Sequence, residues 1–219
     1  MPENTRRLPR SVWLGCSLAF SLIGLAVMVS FLQNARRQPA ALPVIGPVAG
    51  FTLTNQDSRT VTLADLTNHV WIADIIFTRC AGPCPRLTMQ MKALQEKIPA
   101  TGTTRFVTLT TDPEFDSPEV LKRVGLHYGA DFNRWNFLTG TKAEIAGLAA
   151  GSLKLSAQPV KPEEQKDAAD LFIHTTIFVI VDKHAQLRGF FETGGEGVDW
   201  TNAVLPKIIG TAKQLENEP

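Results

Sequence analysis

Residues 12–32 are predominantly apolar and contain no charged residue. About twenty apolar residues in a helix are enough to cross roughly 30 Å of hydrocarbon. After residue 50 the apolar positions come in shorter segments. Phe51-Thr52-Leu53-Thr54 and Thr60-Val61-Thr62-Leu63 alternate on either side of Asn55-Gln56-Asp57-Ser58, which predicts a β-hairpin. Residues 70–77 are almost continuously apolar and predict a buried strand. Leu87, Met91, Leu94 and Ile98 then recur at helical spacing. Residues 105–110 predict a second strand. Ser117 caps a helix that carries Pro118 at its first position and ends at Gly129. Phe137-Leu138-Thr139 is a short strand, and Thr141 caps a helix through about residue 150. Residues 152–171 are polar, contain Pro159 and Pro162, and read as a surface loop. Residues 173–182 form the strongest strand of the chain. A turn at Lys183-His184-Ala185-Gln186 sends the chain back along residues 187–191, and an amphipathic helix covers residues 200–215.

This order, β-α-β-α followed by a hairpin and a helix, predicts an α/β fold: a mixed sheet with helices on both faces. It is the thioredoxin-like arrangement with an N-terminal β-hairpin added. In open α/β sheets, sites form outside the carboxyl ends of the parallel strands. Cys80, Cys84 and Asp112 all follow such strand ends.

Charge sharpens the picture at the N-terminus. The formal net charge of the 219 residues is +1. Arg6, Arg7, Arg10, Arg36 and Arg37 oppose a single acid, Glu3, over residues 1–37. The other 17 Lys+Arg face 20 Asp+Glu, so residues 38–219 carry about −3, with no basic footprint for nucleic acid. Three arginines before the apolar run predict a cytoplasmic N-terminus. The expected organisation is a cytoplasmic tail (1–11), a single-pass transmembrane anchor (12–32), a Pro/Ala/Gly-rich linker (33–50) and one domain (51–219). The run is longer than a signal-peptide core, and no small-x-small cleavage site directly follows it. Cys16 falls inside the run, with most of the apolar stretch after it, so it reads as a membrane-buried small residue and not as a lipid-bearing cysteine. An anchor of this polarity puts the domain in a periplasm, where disulfides persist. The short N-terminal tail favours a bacterial inner membrane over a mitochondrial one.

Two of the three cysteines, Cys80 and Cys84, share one turn between a predicted strand and a predicted helix. A helix N-terminus favours a thiolate at Cys84. Such a pair can form a disulfide or bind a soft metal, and two cysteines are too few for a closed zinc site. A structural disulfide, or two unrelated buried thiols, is the plain alternative. His69, His127 and His184 read as solvated or structural histidines. At a strand start, His174 is by spacing alone a core histidine as readily as a ligand.

Phe77-Thr78-x-Cys80-x-x-x-Cys84-Pro85 resembles the metal-binding motif of the Sco/SenC family of copper chaperones in cytochrome c oxidase assembly. Thr111-Asp112-Pro113-Glu114-Phe115-Asp116-Ser117-Pro118-Glu119 resembles a second family segment, Trp135-x-Phe137-Leu138-Thr139-Gly140 a third, and His174-Thr175-Thr176 a fourth. The four stand in the family's order between about residues 51 and 213. The resemblance implies a non-enzymatic metallochaperone holding Cu(I) or Cu(II) on Cys80, Cys84 and His174, with Asp112 beside the site as an orienting acid. It implies delivery to the copper A centre of cytochrome c oxidase subunit II, and it requires a copper donor and a thiol reductant. Two positions depart from the usual pattern. Ala81-Gly82-Pro83 replaces Pro-Asp-x between the cysteines, and Ile173 replaces an acid before the histidine. Neither removes a ligand.

Two other functions compete. A paired-cysteine thioredoxin-like protein can be a thiol–disulfide oxidoreductase acting on an oxidase subunit or another extracytoplasmic protein. Against it, the cysteines are spaced by three residues, and no proline precedes the strand at His174. A peroxidase-like or redox-sensing role lacks a Thr-x-x-Cys pattern.

Overall fold

The computed structural model describes residues 10–36, 41–155 and 176–218. The chain divides into two compact units, Met1–Ala41 and Leu42–Pro219. In the first, α1 (Arg10–Arg36) is one continuous helix of 27 residues. Its side chains are described continuously over residues 17–30, all of them exposed. Among the described residues no helix is long and apolar enough to cross a membrane. The membrane reading therefore rests on the sequence pattern of residues 12–32.

The second unit is the thioredoxin-like domain. Its elements are β1 (Gly46–Pro47), β2 (Thr52–Asn55), β3 (Thr60–Thr62), α2 (Leu63–Leu66), β4 (Trp71–Ile76), α3 (Cys84–Lys97), β5 (Arg105–Thr110) and α4 (Pro118–His127). After these come β6 (Trp135–Thr139), α5 (Lys142–Ala146), β7 (Ile177–Val181), β8 (Gln186–Glu192) and α6 (Leu205–Asn217). The strands form one mixed sheet in the order β1-β8-β7-β4-β5-β6-β2-β3. β4, β5 and β6 are parallel, and β7 is antiparallel to β4.

Alternation along the central strands separates two apolar layers. On one face Ile72, Ile76, Phe106 and Phe178 pack with Leu87, Met91 and Leu94 of α3, Leu121 of α4 and Ile208 of α6. On the other, Trp71, Ala73, Ile75, Val107 and Leu109 pack with Leu66, Ile145 and Leu148. All six side chains of β4 are buried, as its near-continuous apolar sequence predicts.

Several element ends match their sequence signals. The Ser117 hydroxyl accepts the Val120 N–H at 3.4 Å, and Gly129 takes φ +68° just past α4. Thr141 and Glu144 form a capping box on α5. Other ends differ. The helix expected to reach residue 150 keeps α geometry only to Ala146, then widens into a π turn over Gly147–Ser152. That turn buries Leu148, Ala149 and Ser152, and the Ser152 hydroxyl accepts the Ala49 N–H at 3.1 Å. The last helix likewise begins with a π turn, Trp200–Val204, and Trp200 sits edge-on to Phe178 with ring centroids 5.9 Å apart.

The packed unit begins at Leu42 and not at Phe51. β1 pairs with β8. The buried Arg188 donates to the carbonyls of Leu42 (2.7 Å) and Pro43 (3.1 Å) while paired with Asp182 (2.6 Å) and Glu218 (2.8 Å). Of the strand expected over residues 173–182, Ile177–Val181 is observed, and residues 173–175 lie outside the described residues. So does the predicted loop beyond residue 155. His184 is exposed as expected, and His127 is exposed with its ring edge-on to Tyr128. His69 is half-buried, with Nδ1 bonded to the Thr103 carbonyl at 3.0 Å.

The packing yields one test. Replacing a helical glycine by alanine ordinarily stabilises, by up to about 1 kcal/mol. At Gly125 in α4, a Cβ would lie 2.6 Å from Phe132 Cε1 and 3.0 Å from Phe137 Cε2. Gly125→Ala is therefore expected to destabilise by about 1–3 kcal/mol through overpacking. Denaturant unfolding measures it, and a gain in stability contradicts the packing described.

Candidate functional site

β4 points the chain at the site and α3 receives it. Phe77 closes the strand, and the Cys80 N–H turns back to the Phe77 carbonyl at 3.2 Å. Cys84 is the first residue of α3, with Pro85 in its first turn, where a missing N–H costs no helical bond. The Cys84 carbonyl accepts the Thr88 hydroxyl at 3.0 Å. Both cysteines carry buried thiols, 6 % and 4 % exposed, and both belong to the α3 face of the core.

The two free thiols are hydrogen-bonded to each other. That bond pushes the Cys84 thiol up first, and burial adds to it. A backbone contact from Phe77 works the other way, and negative charge on Cys80 or Asp74 raises it further. The expectation that the helix N-terminus makes Cys84 a thiolate is thus corrected for the dithiol form. A dipole effect of about 0.3–1 kcal/mol does not overcome burial combined with a neighbouring thiol that shares its proton.

The loop after β5 holds the turn in place. Asp116 is fully buried and accepts three hydrogen bonds: from the Thr78 N–H at 3.1 Å, from the Thr78 hydroxyl, and from the Thr110 hydroxyl at 2.5 Å. Burial raises its carboxyl, and the Thr110 and Thr78 bonds oppose the rise. Asp112 grips the next residue. Its Oδ2 accepts from Arg79 Nη2 at 2.5 Å and Nε at 3.1 Å, and the Arg79 guanidinium lies 4.3 Å from the centre of the exposed Phe115 ring. The Asp112 carboxylate is therefore occupied by Arg79. Its effect on the cysteines passes through the conformation of Arg79-Cys80.

Asp74 lies beneath the pair. It is the one acid in the apolar run 70–77, it is fully buried, and neither carboxylate oxygen has a hydrogen-bond partner. Burial pushes its carboxyl up to about 7, tempered by Thr108, its register partner on β5.

His174 lies outside the described residues. The strand it precedes starts close to α3. A Cβ on Gly194 would meet both Arg86 and Thr176, the latter at 3.2 Å, and the Gln90 side chain donates to the Thr193 carbonyl at 2.9 Å. Residues two positions after Cys84 and two positions after His174 therefore adjoin the same glycine. Among the described residues no group of three or more His, Cys, Asp or Glu is arranged to hold a metal ion. A cavity of about 600 Å³ lined by Phe51, Leu63, Glu144 and Leu148 lies on the other side of the sheet and contains no cysteine.

Sequence reasoning placed Cys80, Cys84 and Asp112 near one another, and it missed Asp74, Thr78, Thr110 and Asp116 as parts of the site. Asp74 announces itself as a lone acid in an apolar strand. Thr78 and Asp116 stand in the family-like segments and Thr110 ends a strand, but nothing local marks the three as a clamp until the fold brings the two turns together.

Comparison with known proteins adds the family. Residues 45–205 match the model of the SCO1/SenC family. The SCO1 protein homolog of Bacillus subtilis (strain 168) is 38% identical over 153 residues, covering 69% of this chain and 76% of that protein. Among solved structures, BsSco is described as a member of the Sco family of cytochrome c oxidase assembly proteins with a disulfide switch. It superposes with a TM-score of 0.66 at 32% identity, covering 81% of this chain and 99% of that one. ScoI of Bradyrhizobium japonicum, solved with copper bound, shares the fold with a TM-score of 0.60 at 21% identity, covering 78% and 99%.

Two outcomes follow from the site geometry. Asp116→Ala leaves the Thr78 N–H and two hydroxyls without their acceptor. It is expected to cost about 3–5 kcal/mol in urea unfolding and to speed alkylation of Cys80; an unchanged alkylation rate contradicts the clamp. Asp74 has a folded pKa of about 7 against an ordinary value of 3.8, so it disfavours folding once ionised. Its stabilising contribution is full below about pH 4 and is lost as pH rises through about 7, a loss of roughly 4 kcal/mol. Asp74→Asn should raise the melting temperature at pH 8 and leave it nearly unchanged at pH 4. An equal effect at both pH values contradicts the buried, unpartnered state.

Proposed function

Because the chain belongs to the SCO1/SenC family, we propose that it is a membrane-anchored, copper-binding metallochaperone that delivers copper to the copper A centre of cytochrome c oxidase subunit II during oxidase assembly. The observation that carries this reading is the pair of adjacent buried thiols, Cys80 and Cys84, on a turn clamped by Asp116 and Asp112. Two soft donors in a dry, pre-shaped turn suit Cu(I), and an imidazole from His174 completes a set that also holds Cu(II). Copper here is cargo: it is bound and handed on, and no bond of a substrate is turned over.

Each thiol must lose its proton to become a ligand, so affinity rises with pH and loading releases protons. The raised Cys84 thiol strengthens that dependence. The half-exposed Arg79 and the exposed Phe115 flank the cysteine turn and offer a cation and an aromatic face to a docking partner. The anchor is residues 12–32, a single pass with the domain in the periplasm of a bacterial inner membrane. A copper donor and a thiol reductant complete the cycle.

A second reading is supported by the shared hydrogen bond between the thiols at a helix N-terminus: a thiol–disulfide oxidoreductase working on cysteines of an oxidase subunit or another extracytoplasmic protein.

The deciding experiment loads the reduced full-length chain, in detergent, with Cu(I) and then Cu(II). About one copper per chain is expected, abolished in Cys80→Ser/Cys84→Ser, with a sulfur-to-copper charge-transfer band that disappears in His174→Ala. A Cu(II) spectrum unaffected by His174→Ala removes the third ligand. No retained copper, together with rapid turnover of a protein disulfide, replaces the chaperone with the oxidoreductase.

A further inference from the structure

An ionisable group without a partner in a protein core calls for an explanation, because burying an uncompensated charge is among the largest single costs in folding. Asp74 is such a group. Strand alternation puts it on the same face as Ile72 and Ile76, which pack with Cys80, Cys84 and Phe178. Its register partner on β5, Thr108, receives the Trp135 indole N–H at 2.9 Å. That core cluster contains both cysteines. The nearby acid on the loop after β5, Asp116, is satisfied by Thr78 and Thr110, and Asp112 by Arg79. Asp74 has no ion-pair partner among the described residues; only the approach of Thr108 and its own backbone favours its charge, and burial outweighs both. Its charge is felt at Cys84, where it opposes loss of the thiol proton.

This arrangement allows few charge states. An ionised Asp74 is compatible with two neutral thiols. It opposes a second negative charge in the same dry volume, where little water is present to screen the repulsion. A Cu(I) ion on two thiolates carries a net charge of −1.

We propose that Asp74 is the proton-coupled partner of the cysteine pair, taking up one proton when the two thiols give theirs up to bind Cu(I). The balance is Cu⁺, two thiols and one carboxylate on one side. On the other are a bis-thiolate copper centre of charge −1, a neutral Asp74 carboxylic acid and one proton released to solvent. No electrons move. The charge that loading would add to the core is cancelled on the spot, and the same proton is returned when copper leaves. The proposal rests on the reading of Cys80 and Cys84 as the copper-binding pair. Asp74 is six residues from Cys80 and makes no hydrogen bond to either sulfur, so it acts through its charge and is a positioning residue, not a ligand.

The test counts protons and watches the carboxyl. The reduced full-length chain is titrated anaerobically with Cu(I) in weakly buffered solution at pH 6 and pH 8. At pH 6 Asp74 already holds its proton, and both thiol protons appear in solvent. At pH 8 Asp74 begins ionised, its carboxyl titrating at about 7. Wild type is therefore expected to release about two protons per copper at pH 6 and about one at pH 8, and Asp74→Asn about two at both. Infrared difference spectra should show a carboxylic-acid C=O band gained on loading at pH 8 in wild type and missing from Asp74→Asn. Release of two protons by wild type at pH 8, with no carboxyl band gained, overturns the proposal while leaving the copper site intact. Failure of wild type to bind Cu(I) overturns the site reading itself, a result distinguishable from the first. The wild-type comparison of two pH values decides the matter even if the Asn variant does not fold.

Discussion

Asp116 is the residue through which the cysteine turn and the sheet are joined. A short turn carrying two cysteines has no intrinsic reason to hold one shape. Here its first residue, Thr78, is bonded through both backbone and side chain to a carboxylate with no solvent exposure, and that carboxylate is tied to the end of β5 through Thr110. Buried, charge-compatible hydrogen bonds of this kind are stronger than surface ones, and they fail together when the acceptor is lost. The parallel pairing of β4 with β5 brings the two turns side by side, and Asp116 converts that proximity into a fixed geometry for Cys80.

Three acids lie around the two thiols, and their environments set them apart. Asp112 has a cation, Arg79. Asp116 has three donors. Asp74 has no cation, and only Thr108 and its own backbone work against its burial. The same residue type thus serves as ion-pair partner, structural acceptor and uncompensated charge, and the difference lies in neighbours from other strands. The thiols follow the same logic. A helix N-terminus by itself favours a thiolate, but burial and a shared proton keep Cys84 a thiol.

Legibility varied with the range of the interaction. The hairpin β2–β3, the buried β4, α3 beginning at the second cysteine, the Ser117 cap and the Gly129 stop all follow from patterns within a few residues, and all appear in the structure. The π turns at Gly147–Ser152 and Trp200–Val204 do not, because a helix of wider pitch is selected by what it packs against. Nor does the packing of residues from Leu42 onward. A Pro- and Gly-rich stretch reads as a tether unless the receptor for its carbonyls, Arg188, is known to lie beside it.

The sequence by itself determined the chemistry available: two cysteines in one strand-to-helix turn, an acid-bearing loop after the next strand, a histidine before the strongest strand, and a family pattern joining them. These are local facts about residue type and spacing, which the chain carries whether folded or not. The tertiary structure decided how that chemistry is tuned. That Arg79 belongs to Asp112, that Thr78 belongs to Asp116, and that Asp74 is left uncompensated on the cysteines' face of the core all depend on residues about 30 or more positions apart being packed into one dry volume. Dielectric environment and pairing are properties of that volume, so protonation states and the rigidity of the turn became readable only once the fold was in hand.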